Sequence, residues 1–520
     1  MTGQQAETFG DIVNRHGRER PRAIALRFEG RVTDYAMLDR HTNRVANALL
    51  DMGLKPGDRV AHLGKNSDAA IELMLGAAKA GVVLVPVIWR LAPDEIAWIL
   101  RDSGARHLFV DAVFAETAGK LADGLDSVII MDSDSANGFA AWRDVASDAP
   151  PPVTVDAEDI LLQLYTSGTT GKPKGAMLTH ANVTRFRPLV DSSGLEWLSS
   201  QPGETAMLAM PFAHIAGVGT ALLNVYGAQE NIVLREFDPG AVLEAIETHR
   251  LKRLFLVPAA LQILLGHPRA KQTDFSSLRY FSYGASPIPL ELLKAGIAVL
   301  GCEFMQVYGM TETWGPVTAL APEDHRPERV HVMTSAGKAM PGVELKVVDE
   351  EGRTLPPNTV GEVMVRGPMV MKGYWNRPEE TARAIDADGW LRTGDAGLLD
   401  EEGYLFIQDR IKDMIISGGE NVYPAEVESA IYGHPDVADV AVIGVPDAKW
   451  GEAVKAIVVP RPGVSPDPAS IIAHARDRIA HFKCPKSVDF IDALPRNPSG
   501  KILRRTLREP YWAGQSRNVN

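Results

Sequence analysis

Tyr165-Thr166-Ser167-Gly168-Thr169-Thr170-Gly171-Lys172-Pro173-Lys174-Gly175 gathers small hydroxyl residues, three glycines and two lysines in one short stretch. Glycines let backbone N–H groups approach an anion with no Cβ in the way, hydroxyls add donors, and lysines supply charge. The stretch therefore suits a polyphosphate. The apolar run Ile160 to Tyr165 just before it reads as a buried strand, so the loop is expected to leave the edge of a sheet.

Two familiar readings of such a loop fail. The phosphate loop of strand–loop–helix NTPases requires Ser or Thr directly after its lysine, to hold magnesium, and Pro173 follows Lys172 here. The Gly-x-Ser-x-Gly elbow of serine hydrolases is absent around Ser167. A flexible Gly/Ser linker would not account for two lysines flanking a proline.

At 520 residues the chain exceeds what one compact core accommodates, so at least two domains are expected. The net charge of −12 repels nucleic acid overall, and no long basic run offsets it. Binding of a nucleotide must then rest on locally placed lysines. Cys302 and Cys484 are too few for a disulfide framework, which fits a reducing, cytoplasmic setting. The N-terminus to Arg20 has no apolar signal core. The most apolar long stretch, Ala69 to Trp89, is broken by Glu72, Lys79 and Pro86, and reads as helix then strand, not as a membrane span.

Along the first part of the chain, helical and strand patterns alternate. A helix is expected over Asp68 to Lys79, with Ile71, Met74 and Leu75 on its inner side, and a strand over Val82 to Val87. Pro93 to Ser103 reads as helix and His107 to Val110 as strand; Pro239 to Arg250 and Leu251 to Val257 repeat the pair. Such alternation predicts an α/β fold of helix-covered sheets. From Val343 to Phe406 short runs such as Leu345 to Val348 and Glu362 to Val365 are separated by turn residues, which predicts a β-rich subdomain over about 343–406. Beyond Lys412 the reading is a strand at Met414 to Ile416, a helix from Pro424 to Tyr432, strands at Val437 to Val445 and Ala453 to Val459, a helix from Pro468 to His481, and a strand at Ser487 to Ile491. This is a small α+β domain. The expected division is 1–410 and 411–520, with the joint near Arg410 to Asp413.

The loop 165–175 and a series of further motifs resemble those of the adenylate-forming superfamily: acyl-CoA synthetases, aryl-CoA ligases, luciferases and peptide-synthetase adenylation domains. The likeness runs from about Phe9 to Arg505 and is closest in texture to fatty-acyl and arylpropenoic-acid CoA ligases. By this resemblance Thr166, Ser167, Gly168, Thr169, Thr170, Gly171, Lys172 and Lys174 cradle the phosphates of ATP. Pro211-Phe212-Ala213-His214 resembles a P-x-x-H segment, with His214 gating the passage between acyl adenylate and thiol. Gly284, Ala285 and Ser286 resemble the turn lining the adenine and part of the acyl pocket, where Gly284 would let a ring lie against backbone.

Gln306-Val307-Tyr308-Gly309-Met310-Thr311-Glu312-Thr313 is the most specific of these motifs. Tyr308 offers a ring face to adenine, Thr311 a hydroxyl to the α-phosphate, and Glu312, with Thr166, a hard oxygen for Mg²⁺. Asp395 in Arg392-Thr393-Gly394-Asp395 looks like the ribose acceptor, with Arg410 beside it; a plain ion pair between the two is the alternative. Lys412 matches the hinge position, and Gly418 and Gly419 lie in the loop that faces the thiol tunnel after the C-terminal domain turns. Lys501, in Pro495 to Lys501, matches the adenylation lysine and is read as opening a basic helix with Arg504 and Arg505.

The resemblance implies an ATP- and Mg²⁺-dependent acid–thiol ligase that forms an acyl adenylate and passes the acyl group to coenzyme A, or to a carrier protein. The pocket is assigned to His214, Gly217, Val218, Gly284, Tyr308 and Trp314, which suits a fatty or aryl acid better than an amino acid. Trp314 pointing inward would favour medium or aromatic acids; pointing outward, it leaves long chains open. A homodimer is left open.

Overall fold

The computed structural model describes residues 7–121, 123–133, 135–166, 172–496 and 501–513. Among these the strands form four sheets. The first has nine strands. Its centre is parallel, with Arg253–Leu256, Tyr280–Gly284 and Glu303–Met310 side by side, and antiparallel strands close both edges. The second has seven. Arg59–Leu63, Val83–Val87, His107–Val110 and Ile160–Thr166 run parallel, and Lys174–Thr179 returns antiparallel to the last of them. The expected α/β layering is thus present, as mixed sheets.

The sequences of these elements explain their limits. Pro93 opens the helix Pro93–Ser103, where its missing N–H costs nothing, and Gly104 ends it in the left-handed conformation. Ser67 caps Asp68–Ala80 by accepting the N–H of Ala70, and Gly81 closes it at φ +69°. That helix is buried on nearly every side, not on one face as its pattern suggested. Its three charges are therefore matched: Asp68 accepts from Arg31 at 2.8 Å, Glu72 accepts from Arg143 at 2.6 Å and meets His41 at 2.7 Å, and Lys79 donates to Asp39 and Asn43.

The third sheet is antiparallel and holds Glu344–Val348, Gly361–Arg366, Leu391–Leu399 and Leu405–Arg410, matching the β-rich stretch expected there. The fourth has five strands between Ile415 and Phe490, and its core is drawn only from residues at and beyond Ile415. Two expectations in this last part need correction. The helix from Pro468 ends at Arg476, because the N–H groups of Arg478 and Ile479 both turn back to Ala475 and bring Ile479 and Cys484 inward. Lys501 precedes the basic helix, which runs Arg504–Trp512; Ile502 bridges Arg496 and Leu503 donates to Pro495, so the backbone there is extended.

Among the described residues no helix is long and apolar enough to cross a membrane, and both cysteines are free thiols.

Candidate active site

Thr166 and Lys174 pair across the antiparallel strands Ile160–Thr166 and Lys174–Thr179. The phosphate-type loop therefore joins strand to strand, which separates it from the strand–loop–helix NTPases. Ser167, Gly168, Thr169, Thr170 and Gly171 lie outside the described residues. Lys172 is exposed, whereas Lys174 is half-buried, ion-paired with Glu380 at 2.8 Å and 5.1 Å from the Tyr374 ring.

Glu312 meets Thr166, the last residue of its strand, from the other sheet. Its carboxylate is 6% exposed and accepts the hydroxyl of Thr166 at 3.2 Å and that of Tyr374 at 2.9 Å. Among the described residues no cluster of three or more His, Cys, Asp or Glu forms a metal cage. A single buried carboxylate is nevertheless what a magnesium ion shared with substrate phosphates requires. Thr311 stands half-buried at the head of the same short turn, Thr311–Thr313.

Tyr308 lies one turn back, on the strand Glu303–Met310 that also carries Gln306 and Gly309. Its hydroxyl donates to Asp395 at 2.5 Å, and Asp395 is ion-paired with Arg410 at 2.8 Å. The expected alternative of an Asp395–Arg410 pair is thus realised, with Tyr308 added to it. Burial and the Asp395 charge together hold the Tyr308 hydroxyl far above its ordinary value, so it is a donor throughout the physiological range. Arg410 is set by its place as cross-strand partner of Asp395 and also donates to the carbonyl of Thr393 at 2.9 Å.

His214 caps the helix Ile215–Tyr226 from outside. Burial, aided by the charges of Lys501 and Arg90, lowers its pKa to about 4, so it is a neutral imidazole at pH 7. Among the described residues His214 Nε2 is buried with no hydrogen-bond partner.

The expected pocket residues divide. Trp314 is 4% exposed and turned inward: its Cζ3 lies 3.7 Å from where a Cβ on Gly219 would stand. Gly217 and Val218 have packing reasons of their own. A Cβ on Gly217 would meet the Pro211 carbonyl oxygen at 2.1 Å, and Val218 is part of the main core. Gly284 likewise has a packing reason, since its Cβ would fall 2.2 Å from the Val307 carbonyl on the neighbouring strand. Ala285 follows at φ +68°, with Ser286 half-buried beside it. Gly418 and Gly419 both have left-handed φ, and Gly418 packs on the Trp450 ring. The side chain of Lys412 lies outside the described residues.

Three side chains of the site went unread in the sequence. Tyr374 touches Glu312, as above. Asn66, 1% exposed, donates to the carbonyls of Met210 and Leu234 and accepts the N–H of Phe212 at 2.8 Å, so it pins the segment that carries His214. His62 packs its ring edge-on to Phe212 at 5.6 Å. No local signal marks them, because their partners are far away in sequence.

The family described as AMP-binding enzyme matches residues 13–375, and the AMP-binding enzyme C-terminal domain matches 426–501. The chain belongs to the AMP-binding enzyme family. It is thereby an enzyme of the adenylate-forming superfamily. A fatty acid–[acyl-carrier-protein] ligase, ScoC, of Streptomyces coeruleorubidus is 43% identical over 99% of both chains. A feruloyl-CoA synthase of Amycolatopsis is 42% identical over 97% of this chain and 99% of its own. Among solved structures, ATP-bound MatB from Rhodopseudomonas palustris superposes with a TM-score of 0.88 at 33% identity, covering 97% of this chain and 99% of its own.

Proposed function

We propose that this AMP-binding enzyme is an acid–CoA ligase for a hydrophobic fatty or aryl acid, working in two steps. In the first, the acid's carboxylate oxygen attacks the α-phosphorus of ATP and pyrophosphate leaves, giving the acyl adenylate. In the second, a thiol attacks the acyl carbon and AMP leaves, giving the thioester. The observation that carries this reading is the gathering of Thr166 with Glu312, and of Tyr308 with Asp395 and Arg410, around the end of the strand Glu303–Met310.

The two substrates of the first step are both anions, so positioning and charge neutralisation are the main tasks. Lys174 and Lys501 supply positive charge, and Lys501 bridges the incoming carboxylate and the α-phosphate. Glu312, with Thr166 beside it, would hold Mg²⁺, which when bound neutralises phosphate charge. Asp395, oriented by Tyr308 and Arg410, accepts from the ribose hydroxyls. His214, neutral and apolar-walled, lets a thiol pass without competing for its proton.

Supported by two separate family matches and by a C-terminal core drawn from Ile415 onward, the chain divides into domains 1–410 and 411–520. The smaller domain turns at Lys412 between the steps and brings Gly418 and Gly419 to the thiol. A second reading, with a carrier protein as acceptor, is favoured by the likeness to ScoC over the whole chain. Pyrophosphate release with ATP and a panel of fatty and cinnamic-type acids, with and without coenzyme A, tests both. Thioester formed with coenzyme A supports the first; adenylate that turns over only with a carrier protein replaces it with the second.

A further inference from the structure

The hairpin that opens the phosphate-type loop has a third strand beside it. Gly373–Tyr374 pairs with Lys174–Thr179, which pairs with Ile160–Thr166, and the Trp375 N–H extends the ladder to the Gly175 carbonyl at 2.8 Å. Side chains in one row across a sheet share a face, and neighbours along a strand point to opposite faces. Thr166, Lys174 and Tyr374 accordingly share the front, where Thr166 and Tyr374 donate to Glu312 and Lys174 meets Glu380. Tyr165 and Trp375, with Gly175 between them, share the back.

Both back-face residues reach Asp102, near the end of the helix Pro93–Ser103. The Tyr165 hydroxyl donates to its carboxylate at 2.8 Å, the Trp375 indole N–H to its backbone carbonyl at 3.0 Å, and Arg377 to its second carboxylate oxygen at 2.7 Å. The Asp102 side chain is 11% exposed. Gly175 leaves the room this needs: a Cβ there would stand 2.7 Å from the Gln163 amide nitrogen, which donates to the Tyr165 hydroxyl at 3.0 Å. Burial, and then the bond to Asp102, hold that hydroxyl above its ordinary value, so it stays a donor. An ion pair with Arg377 alone would satisfy a carboxylate that only stabilised the fold. The other two bonds instead hold the chain neighbours of Thr166 and Tyr374. Resting on the acid–thiol ligase reading above, we propose that Asp102 is a positioning residue for adenylate formation. By fixing Tyr165 and Trp375 behind the sheet, it sets where Thr166 and Tyr374 stand at Glu312 and how the phosphate-binding loop leaves its strand.

The test uses Asp102→Asn, which keeps the shape but offers one acceptor oxygen where Tyr165 and Arg377 use two, and Tyr165→Phe, which removes one donor. Calorimetric titration with ATP and no acid gives the Kd apart from the folded fraction, which appears in the stoichiometry. Each variant should raise the Kd on the order of three- to tenfold, part of what one charge-assisted hydrogen bond is worth. Adenylate formation at saturating ATP should slow on the order of ten- to a hundredfold. Thioester formation from a supplied acyl adenylate, which has no β- or γ-phosphate to hold, should stay close to native. The two changes together should cost little more than the larger one alone, because they cut the same bond. A purely structural carboxylate would lower both half-reactions alike through loss of folded enzyme. That outcome, an unchanged Kd, or losses that simply add in the double variant would overturn the proposal. Failure of every acid to react with the native enzyme would instead remove the ligase reading, and the ATP titrations alone would then decide the role of Asp102.

Discussion

Asp409 accepts the backbone N–H of Ala425 at 3.0 Å, joining the end of the strand Leu405–Arg410 to the start of the helix Pro424–Tyr432 across the short turn Ile411–Asp413. Arg504 stands 3.6 Å from the same carboxylate and is bound to Glu428 at 2.9 Å. The C-terminal helix is thereby tied to the turn, and Arg508 adds a bond to Asp413 at 2.7 Å.

Burial, reinforced by Glu428 and Asp413 and opposed by Arg504 and the Arg410 N–H, raises the Asp409 carboxyl to about 6. A carboxyl that binds its proton more tightly in the fold favours the fold below its ordinary value of 3.8, and that advantage is lost as pH rises through about 6. Asp409→Asn should therefore gain stability over the native protein between pH 5 and 8, by on the order of 1–3 kcal/mol. Urea unfolding at several pH values reads this directly; two parallel curves would end the argument.

Lys501→Ala should slow adenylate formation by two or more orders of magnitude, the size expected on losing one positioned charge in a dry site. Thioester formation from a supplied acyl adenylate should suffer far less. Equal loss in both half-reactions, followed by rapid quench, would remove the bridging role from this lysine.

Glu312→Gln keeps the acceptor for Thr166 and Tyr374 but removes the charge. The magnesium concentration giving half-maximal pyrophosphate release should rise at least about tenfold, because a neutral amide is a poor partner for a hard cation. An unchanged magnesium titration would place the ion elsewhere.

Asn66→Ala strips three hydrogen bonds from buried backbone. A stability loss of about 2–4 kcal/mol is expected from the groups left unpaired. The same change should lower turnover with the acid more than it raises the KM for ATP, since the loosened segment carries His214. A KM effect confined to ATP would contradict that placement.

Much of the fold was legible locally. Helices Pro93–Ser103 and Pro424–Tyr432 begin at the prolines that announce them, and His107–Val110 is bounded as its β-branched and aromatic run suggests. The overlong reading of Pro468 to His481 arose because helical spacing continues past the point where Ile479 and Cys484 must turn inward. Of the site, the motif residues were legible and their supports were not. Asn66 reaches partners 144 and 168 residues away, and Tyr374 reaches Glu312 over 62. Trp314 was legible as a ring, but its direction depends on the glycine it rests upon.

The strands Leu391–Leu399 and Leu405–Arg410 pair Asp395 with Arg410 and Ala396 with Asp409, then step to Gly397 with Ile407, so Gln408 is an extra residue in the ladder. That irregularity works as a phase shifter. Side chains alternate along a strand, so a chain one residue shorter there would turn Arg410 away from Asp395 and Asp409 away from Ala425 together. The Asp395–Arg410 pair and the tie from Asp409 to Ala425 share one offset, and neither can drift in register without carrying the other along.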